Sequence, residues 1–217
     1  MSFENRQKNY RETPWFYYRL GDMVKREIFR DRENGRELHY ELYPDSIASQ
    51  YMRQTDKNND IDVLINLIKK HRPNLRPEEG ELVVHLRVGD VVNKAKYTVK
   101  ELLEKERAFS NGNFYVKPLS YYECHPKTKN GRIEKITLVA GGCKAHDFTK
   151  SKEYIQAIKN FFEESGVSAQ IRLGNNPDDD FVYMCRSRFF IRSGGGFSKL
   201  VGKCRHEAMR RGIDAFL

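Results

Sequence analysis

Short apolar strands alternate with helical segments from about residue 80 onward, and this order constrains the fold more than any other feature. Apolar and β-branched runs predict strands at 81–88, 135–142, 168–174 and 188–196. Helical spacing predicts helices at 98–109, 151–166 (with Ser151 as N-cap), 178–187 and 197–211. Successive parallel strands need crossovers, which are usually helical. The order therefore predicts an α/β fold with a Rossmann-like parallel sheet and helices on both faces.

The first 80 residues carry a weaker pattern, in which the segment 60–73 has the clearest helical spacing. Two prolines and a glycine between residues 72 and 80 are typical of a linker. We therefore predict two units, a reduced N-terminal lobe at 1–78 and a Rossmann-like lobe at 79–217.

The composition is that of a globular chain with a basic excess. Thirty-nine Lys and Arg against thirty Asp and Glu give a net charge of +9, which suits phosphorylated or polyanionic ligands. Hydrophobic residues make up 39% and aromatic residues 12%, too many for a disordered chain. No segment approaches the roughly 20 apolar residues of a membrane span, and no apolar signal-peptide core is present at the N-terminus. The sequence predicts a cytoplasmic protein.

The stretch VVHLRVGD at 83–90 places two polar side chains in an apolar strand. His85 and Arg87 project to one face under strand alternation, and Gly89 and Asp90 continue into the following loop. Ligands of open parallel sheets bind beyond the carboxyl ends of strands, and Arg binds phosphate with a planar fork. This pattern predicts a phosphate contact at Arg87, with His85 orienting the ligand. The alternative is an Arg–Asp pair that only holds the loop.

A second candidate site lies where the last predicted strand ends. The strand runs into small residues and a helix start, at Ser193, Gly194, Gly195, Gly196, Phe197 and Ser198. A glycine loop that enters a helix exposes backbone N–H groups to an anion, and the helix dipole favours negative charge. The pattern predicts a diphosphate cradle, although a plain turn would have the same sequence.

The acidic run Asp178-Asp179-Asp180 permits two interpretations. A D-x-D pair is typical of metal-dependent glycosyltransferases, where it binds the metal that carries the nucleotide diphosphate. Acidic residues also start helices, and we favour Asp178 or Asp179 as an N-cap, with Asp180 left for a ligand contact.

In this order the motifs resemble the fucosyltransferase superfamily that includes protein O-fucosyltransferases and the α1,2- and α1,6-fucosyltransferases. The H-x-R-x-x-D motif stands at His85, Arg87 and Asp90, and the C-terminal pattern runs from Asp180 to Ser198. A further match to an early loop of the family is formed by Arg19, Gly21 and Asp22.

The resemblance implies a GT-B-like architecture with a reduced, acceptor-side N-terminal lobe. It implies inverting transfer of fucose from GDP-fucose to a glycan or protein hydroxyl, with no cofactor and no bound metal. Arg87 would stabilise the departing GDP, His85 and the glycine loop would bind the donor, and Asp180 would contact its base or ribose. Asp22, Asp90 and Glu123 are the candidates for the general base, and we place Asp90 with Arg87 as catalytic.

Three alternatives stay open. The first is a metal-dependent glycosyltransferase that uses Asp178 and Asp180. The second is a basic nucleic-acid-binding protein, although no recognised binding motif supports it; its cations would be Lys199, Lys203, Arg205, Arg210 and Arg211. The third is an inactive protein that binds a GDP-sugar.

Overall fold

The computed structural model describes residues 46–55, 60–104, 116–123, 133–141 and 148–213. Within these ranges four strands form one sheet: β1 Glu81–Leu86, β2 Lys135–Ala140, β3 Ser168–Leu173 and β4 Phe189–Ile191. The strand order is β3-β2-β1-β4, and every neighbouring pair is parallel. The predicted α/β fold with a parallel sheet is confirmed.

Helices cover both faces of this sheet. In chain order they are α1 Ile47–Gln54, α2 Ile61–Lys70, α3 Asp90–Asn93, α4 Val99–Glu104, α5 Leu119–Glu123, α6 Thr149–Glu164, α7 Pro177–Cys185 and α8 Gly196–Arg210. Helices α1, α2, α7 and α8 pack in one hydrophobic core with Val83, and helices α3 to α6 pack in another with Leu82 and Val84. The apolar run of β1 is continuous because both faces of the strand are buried.

The strand order creates a switch point between β1 and β4. From β1 the chain steps outward through β2 to β3, then returns across the sheet to place β4 on the other side of β1. The connections that follow β1 and β4 lead to helices on opposite faces of the sheet, and at such a point open α/β sheets form a crevice at the carboxyl edge. Both predicted phosphate motifs directly follow the two strands that flank this crevice.

Helices α1 and α2 lie in the same core as the sheet, through residues such as Tyr51, Leu64 and Ile68. They belong to the predicted N-terminal lobe at 1–78, most of which lies outside the described residues. The division at residue 78 stays a prediction. Within the described ranges, no helix has the length and apolar character needed to cross a bilayer.

Two predicted helix caps were wrong. Helix α6 begins at Thr149, so that Ser151 lies inside its first turn. Helix α7 is capped by Asn176, whose side chain accepts a hydrogen bond from the Asp178 N–H at 2.9 Å, and Pro177 is its first residue. Asn followed by Pro is a strong helix start, and it places the cap before the aspartates.

Candidate functional site

The carboxyl ends of β1 and β4 bring the two predicted motifs into direct contact. The Ser193 hydroxyl and the His85 Nδ1 are joined by a hydrogen bond of 2.7 Å, and both side chains are buried. The Phe197 ring lies 5.7 Å from the His85 ring, measured between centroids. The first residues after β4 are therefore fixed to the end of β1 across the crevice.

His85 is an uncharged hydrogen-bonding group in this position. Burial, with a smaller contribution from the Arg87 charge, lowers its pKa to about 3. The imidazole is consequently neutral near pH 7 and does not attract an anion by charge. Its role in the site is to hold Ser193 and the loop that follows.

Replacing His85 with Gln tests this burial through the pH dependence of stability. The folded pKa lies below the unfolded value of 6.5, so between these two pH values the unfolded chain holds more protons on His85. The free energy of unfolding therefore falls as pH is lowered through this window, by up to about 1.4 kcal/mol per pH unit. We expect the wild type to lose more stability than His85→Gln between pH 6.5 and 4.5 in urea titrations.

The difference in the free energy of unfolding between the wild type and His85→Gln reflects the protonation of His85. Burial raises the pKa of both Asp178 and Asp180 to about 6, which acts in the opposite direction, but these groups are present in both proteins. Parallel stability curves for the wild type and the variant over this pH range would contradict the burial of a neutral His85.

Arg87 lies just beyond β1 and is held by the loop that follows. The strand ends at Leu86, so the predicted strand at 81–88 was two residues too long, and alternation does not set the direction of Arg87. Its Nη2 donates to Asp90 Oδ1 at 2.8 Å, and Gly89, with a φ of +81°, turns the chain into α3. The Asp90 side chain is half exposed. The loop therefore carries a paired guanidinium and carboxylate just beyond the carboxyl end of β1.

Ser151 on α6 holds the loop that carries Arg87 through hydrogen bonds. Its buried hydroxyl accepts from the Gly89 N–H at 3.0 Å and donates to Asn93 Oδ1 at 2.7 Å. The Ser151 N–H also donates to Asn93 Oδ1, at 3.0 Å. Sequence reasoning missed this role because a serine at a helix start was interpreted as a cap. Ser151 is a positioning residue that joins α6 to the Arg87 loop.

Replacing Ser151 with Ala is expected to lower the free energy of unfolding by about 1–3 kcal/mol, because the buried Gly89 N–H loses its partner. Chemical denaturation measures this loss. Ser165→Ala at the exposed end of the same helix is the control, since its hydroxyl donates to the carbonyl of the nearby Phe162. Equal losses in the two variants would contradict the proposed role of Ser151.

The glycine loop forms the start of α8. Gly195 is the N-cap with a φ of +94°, and no side chain caps the helix. The first N–H groups of a helix have no partner within it, so those of Gly196, Phe197 and Ser198 have no acceptor inside α8. The buried Ser198 hydroxyl has no hydrogen-bond partner in the part of the chain that the structure describes. This combination has the chemistry of an anion site.

The three aspartates of α7 diverge toward separate partners. Asp178 accepts from the Ile47 N–H at 2.9 Å, and Asp179 contacts His71 at 2.8 Å and Arg72 at 2.8 Å. Asp180 accepts from Arg172 Nε at 2.6 Å. Among the described residues, no group of three metal-ligating side chains converges. The acidic run connects α7 to its neighbours, and this arrangement does not favour the metal-dependent alternative.

Asp180 and Arg172 lie farther along the same edge of the sheet. Arg172 pairs in register with Val139, which pairs with His85. Adjacent strands are about 4.8 Å apart, so Arg172 lies about 10 Å from His85, measured between backbones. Burial raises the pKa of Asp180 to about 6, although Arg172 opposes this shift. The ion pair is therefore distant from Ser193 but belongs to the same crevice edge.

Most of the cations predicted for nucleic-acid binding have partners within the protein. Arg205 is buried and donates to the Ser187 hydroxyl at 3.0 Å and to the Arg188 carbonyl at 3.1 Å, beyond the end of α7. Arg210 and Arg211 form ion pairs with Glu207. Lys199 and Lys203 are exposed, and neither forms such a contact with the residues that the structure describes. Three of the five predicted cations are therefore held by oxygen atoms of the protein itself.

The other predicted residues are Arg19, Gly21, Asp22, Glu123 and Gly194. Arg19, Gly21 and Asp22 lie outside the described residues. Glu123 is exposed at the end of α5. Gly194 lies in the loop between β4 and α8.

Comparisons with protein-family models, with curated proteins and with solved structures gave no match. The resemblance to fucosyltransferases therefore stays a prediction from the motifs.

Proposed function

We propose that this protein is a glycosyltransferase that transfers fucose from GDP-fucose to a hydroxyl of a glycan or protein. The observation that carries the proposal is the contact between Ser193 and His85, which unites the H-x-R-x-x-D segment with the glycine loop at the switch point. This is the place where open α/β sheets bind nucleotides.

The diphosphate of the donor is proposed to bind between Arg87 and the start of α8. The N–H groups of α8 and the Ser198 hydroxyl supply neutral donors on one side, and the Arg87 guanidinium supplies charge on the other. Asp180 and Arg172, about 10 Å along the edge, are proposed to contact the base or ribose.

The reaction is an inverting displacement in which the acceptor oxygen forms a bond to the anomeric carbon as the bond to the β-phosphate breaks. The bonding electrons leave with GDP, so negative charge grows on the phosphate beside Arg87. Preorganised donors of this kind stabilise a transition state by about 2.7–4 kcal/mol each. Asp90, which is ion-paired with Arg87 at 2.8 Å, is proposed to accept the proton of the acceptor hydroxyl.

The proposal places the N-terminal lobe of a GT-B-like enzyme, residues 1–78, on the acceptor side. Arg19, Gly21 and Asp22 would contact the donor from that lobe. A cytoplasmic location also remains part of the proposal.

Calorimetric titration with GDP-, UDP- and CMP-sugars in the presence of a chelator tests the proposed function. We expect GDP-fucose and GDP to bind and the other donors to bind weakly. Selective binding of a UDP-sugar, or binding that appears only with manganese, would favour the metal-dependent alternative. Binding of GDP-fucose without release of GDP, in the presence of an acceptor panel, would favour an inactive binder.

A further inference from the structure

The guanidinium of Arg172 is fixed in place by two contacts. Its Nε donates to Asp180 Oδ1 at 2.6 Å, and Asp180 is buried. Its Cζ lies 4.6 Å from the centre of the Tyr183 ring. The charge-assisted hydrogen bond and the cation–π contact together orient the guanidinium.

The Tyr183 ring is itself held from the interior of the protein. The Tyr183 hydroxyl donates to Glu81 Oε1, and the Thr137 hydroxyl donates to the same oxygen. Glu81 is buried, and its Oε2 accepts from the Glu78 N–H at 3.1 Å. The ring that contacts Arg172 is therefore positioned before any ligand arrives.

The Nη1 and Nη2 groups of Arg172 have no acceptor among the residues that the structure describes. The Arg172 side chain is 22% exposed, whereas its carboxylate partner is buried. Arg172 lies near the carboxyl end of the edge strand β3, on the side of the sheet where the proposed diphosphate site lies. Oriented polar groups of this kind determine which ligand a site accepts.

We propose that Arg172 determines the specificity for the base by binding the N7 and O6 atoms of guanine. This inference rests on the proposed function and names the part of GDP that Arg172 contacts. A guanidinium donates two parallel hydrogen bonds, and guanine has two neighbouring acceptors, N7 and O6, on one edge. Adenine has an amino group in place of O6, and pyrimidines have no N7.

The ion pair with Asp180 favours a base over a further phosphate as the ligand of Arg172. The carboxylate lies 2.6 Å from the Arg172 Nε and offsets the positive charge of the guanidinium. The same carboxylate repels a second anion, whereas the N7 and O6 atoms of guanine are neutral acceptors.

Titration of the wild type with GDP and 7-deaza-GDP in a chelator tests one of the two proposed hydrogen bonds. 7-Deaza-GDP has a carbon atom in place of N7 and keeps both phosphates. We expect it to bind about tenfold more weakly than GDP, because a hydrogen bond to a charged group is lost. Equal affinity for the two nucleotides would overturn the inference.

Arg172→Met removes the whole contact, and Arg188→Met is the matched control. Arg188 forms an ion pair with the exposed Glu79 at the amino end of β4. We expect Arg172→Met to bind GDP about tenfold more weakly than the wild type does and to bind 7-deaza-GDP as well as GDP. The control should differ from the wild type by less than about twofold.

Titration with inorganic pyrophosphate shows whether Arg172 contacts the base or a phosphate. We expect pyrophosphate, which has no base, to bind to Arg172→Met within about twofold of its affinity for the wild type. Equal losses of pyrophosphate and GDP affinity in Arg172→Met would assign Arg172 to a phosphate and overturn the inference.

The inference and the proposed function fail in different ways. Unchanged GDP affinity in Arg172→Met would overturn the inference and leave the proposed function standing. GDP binding that depends on Arg172 as expected, without release of GDP from GDP-fucose in the presence of an acceptor panel, would contradict the transferase and support the guanine contact. A wild type that does not bind GDP would contradict both.

Discussion

Replacing Arg87 with Lys is expected to lower the turnover of GDP-fucose by about 10²–10³-fold, while GDP affinity falls much less. Lys keeps the charge but cannot bind phosphate with two parallel hydrogen bonds. Ground-state binding is shared with the amides of α8, whereas the charge that grows on cleavage falls mainly on Arg87. Turnover is measured as GDP released from GDP-fucose.

Arg188→Lys is the matched control for this substitution. Arg188 lies at the amino end of β4, where it pairs with the exposed Glu79 at 2.8 Å, and it takes no part in the crevice. We expect wild-type turnover in this variant. If Arg87 only holds its loop, Lys would still pair with Asp90, and wild-type turnover in Arg87→Lys would contradict the proposed mechanism.

Replacing Gly195 with Val is expected to abolish measurable GDP binding, because the residue is the N-cap of the helix that forms the cradle. Its φ of +94° lies in a region that β-branched residues avoid, and a side chain there would also hinder the approach of a phosphate to the amides. The backbone strain is expected to lower the free energy of unfolding by about 1–3 kcal/mol.

A glycine outside the proposed site provides the control that separates backbone strain from the loss of GDP binding. Gly166 at the end of α6 has a φ of +85°, and a side chain there would meet open space. We expect Gly166→Val to lose similar stability in thermal unfolding while it binds GDP with wild-type affinity. If Gly195→Val loses stability but retains GDP binding, the loop is only structural.

Much of the sheet could be predicted from local sequence, whereas its order could not. Apolar runs located β1 and β2 because both strands are buried on both faces. The pairing of β1 with β4 depends on a crossover that returns across the whole sheet. No local sequence pattern indicates this crossover. The contact between His85 and Ser193 could therefore be expected only from the resemblance to fucosyltransferases.

The supporting residues of the site were missed for the same reason. Ser151 and Gly89 are 62 positions apart, and Ser151 and Asn93 are 58 apart. Their hydrogen bonds depend on packing against the sheet, and each side chain is ordinary in its own segment. The cap of α7 is different, because Asn176 and Pro177 were a readable signal that the three aspartates obscured.

The most direct test of the central claim is an NMR titration of the protein with GDP in a chelator, followed through the backbone amide resonances. The claim is that a diphosphate binds at the switch point between β1 and β4. We expect the largest shifts at Gly89, Gly196, Phe197 and Ser198, with Gly80 at the opposite edge unchanged. Shifts confined to Asp178–Asp180, or no shift at the start of α8 under saturating GDP, would contradict it.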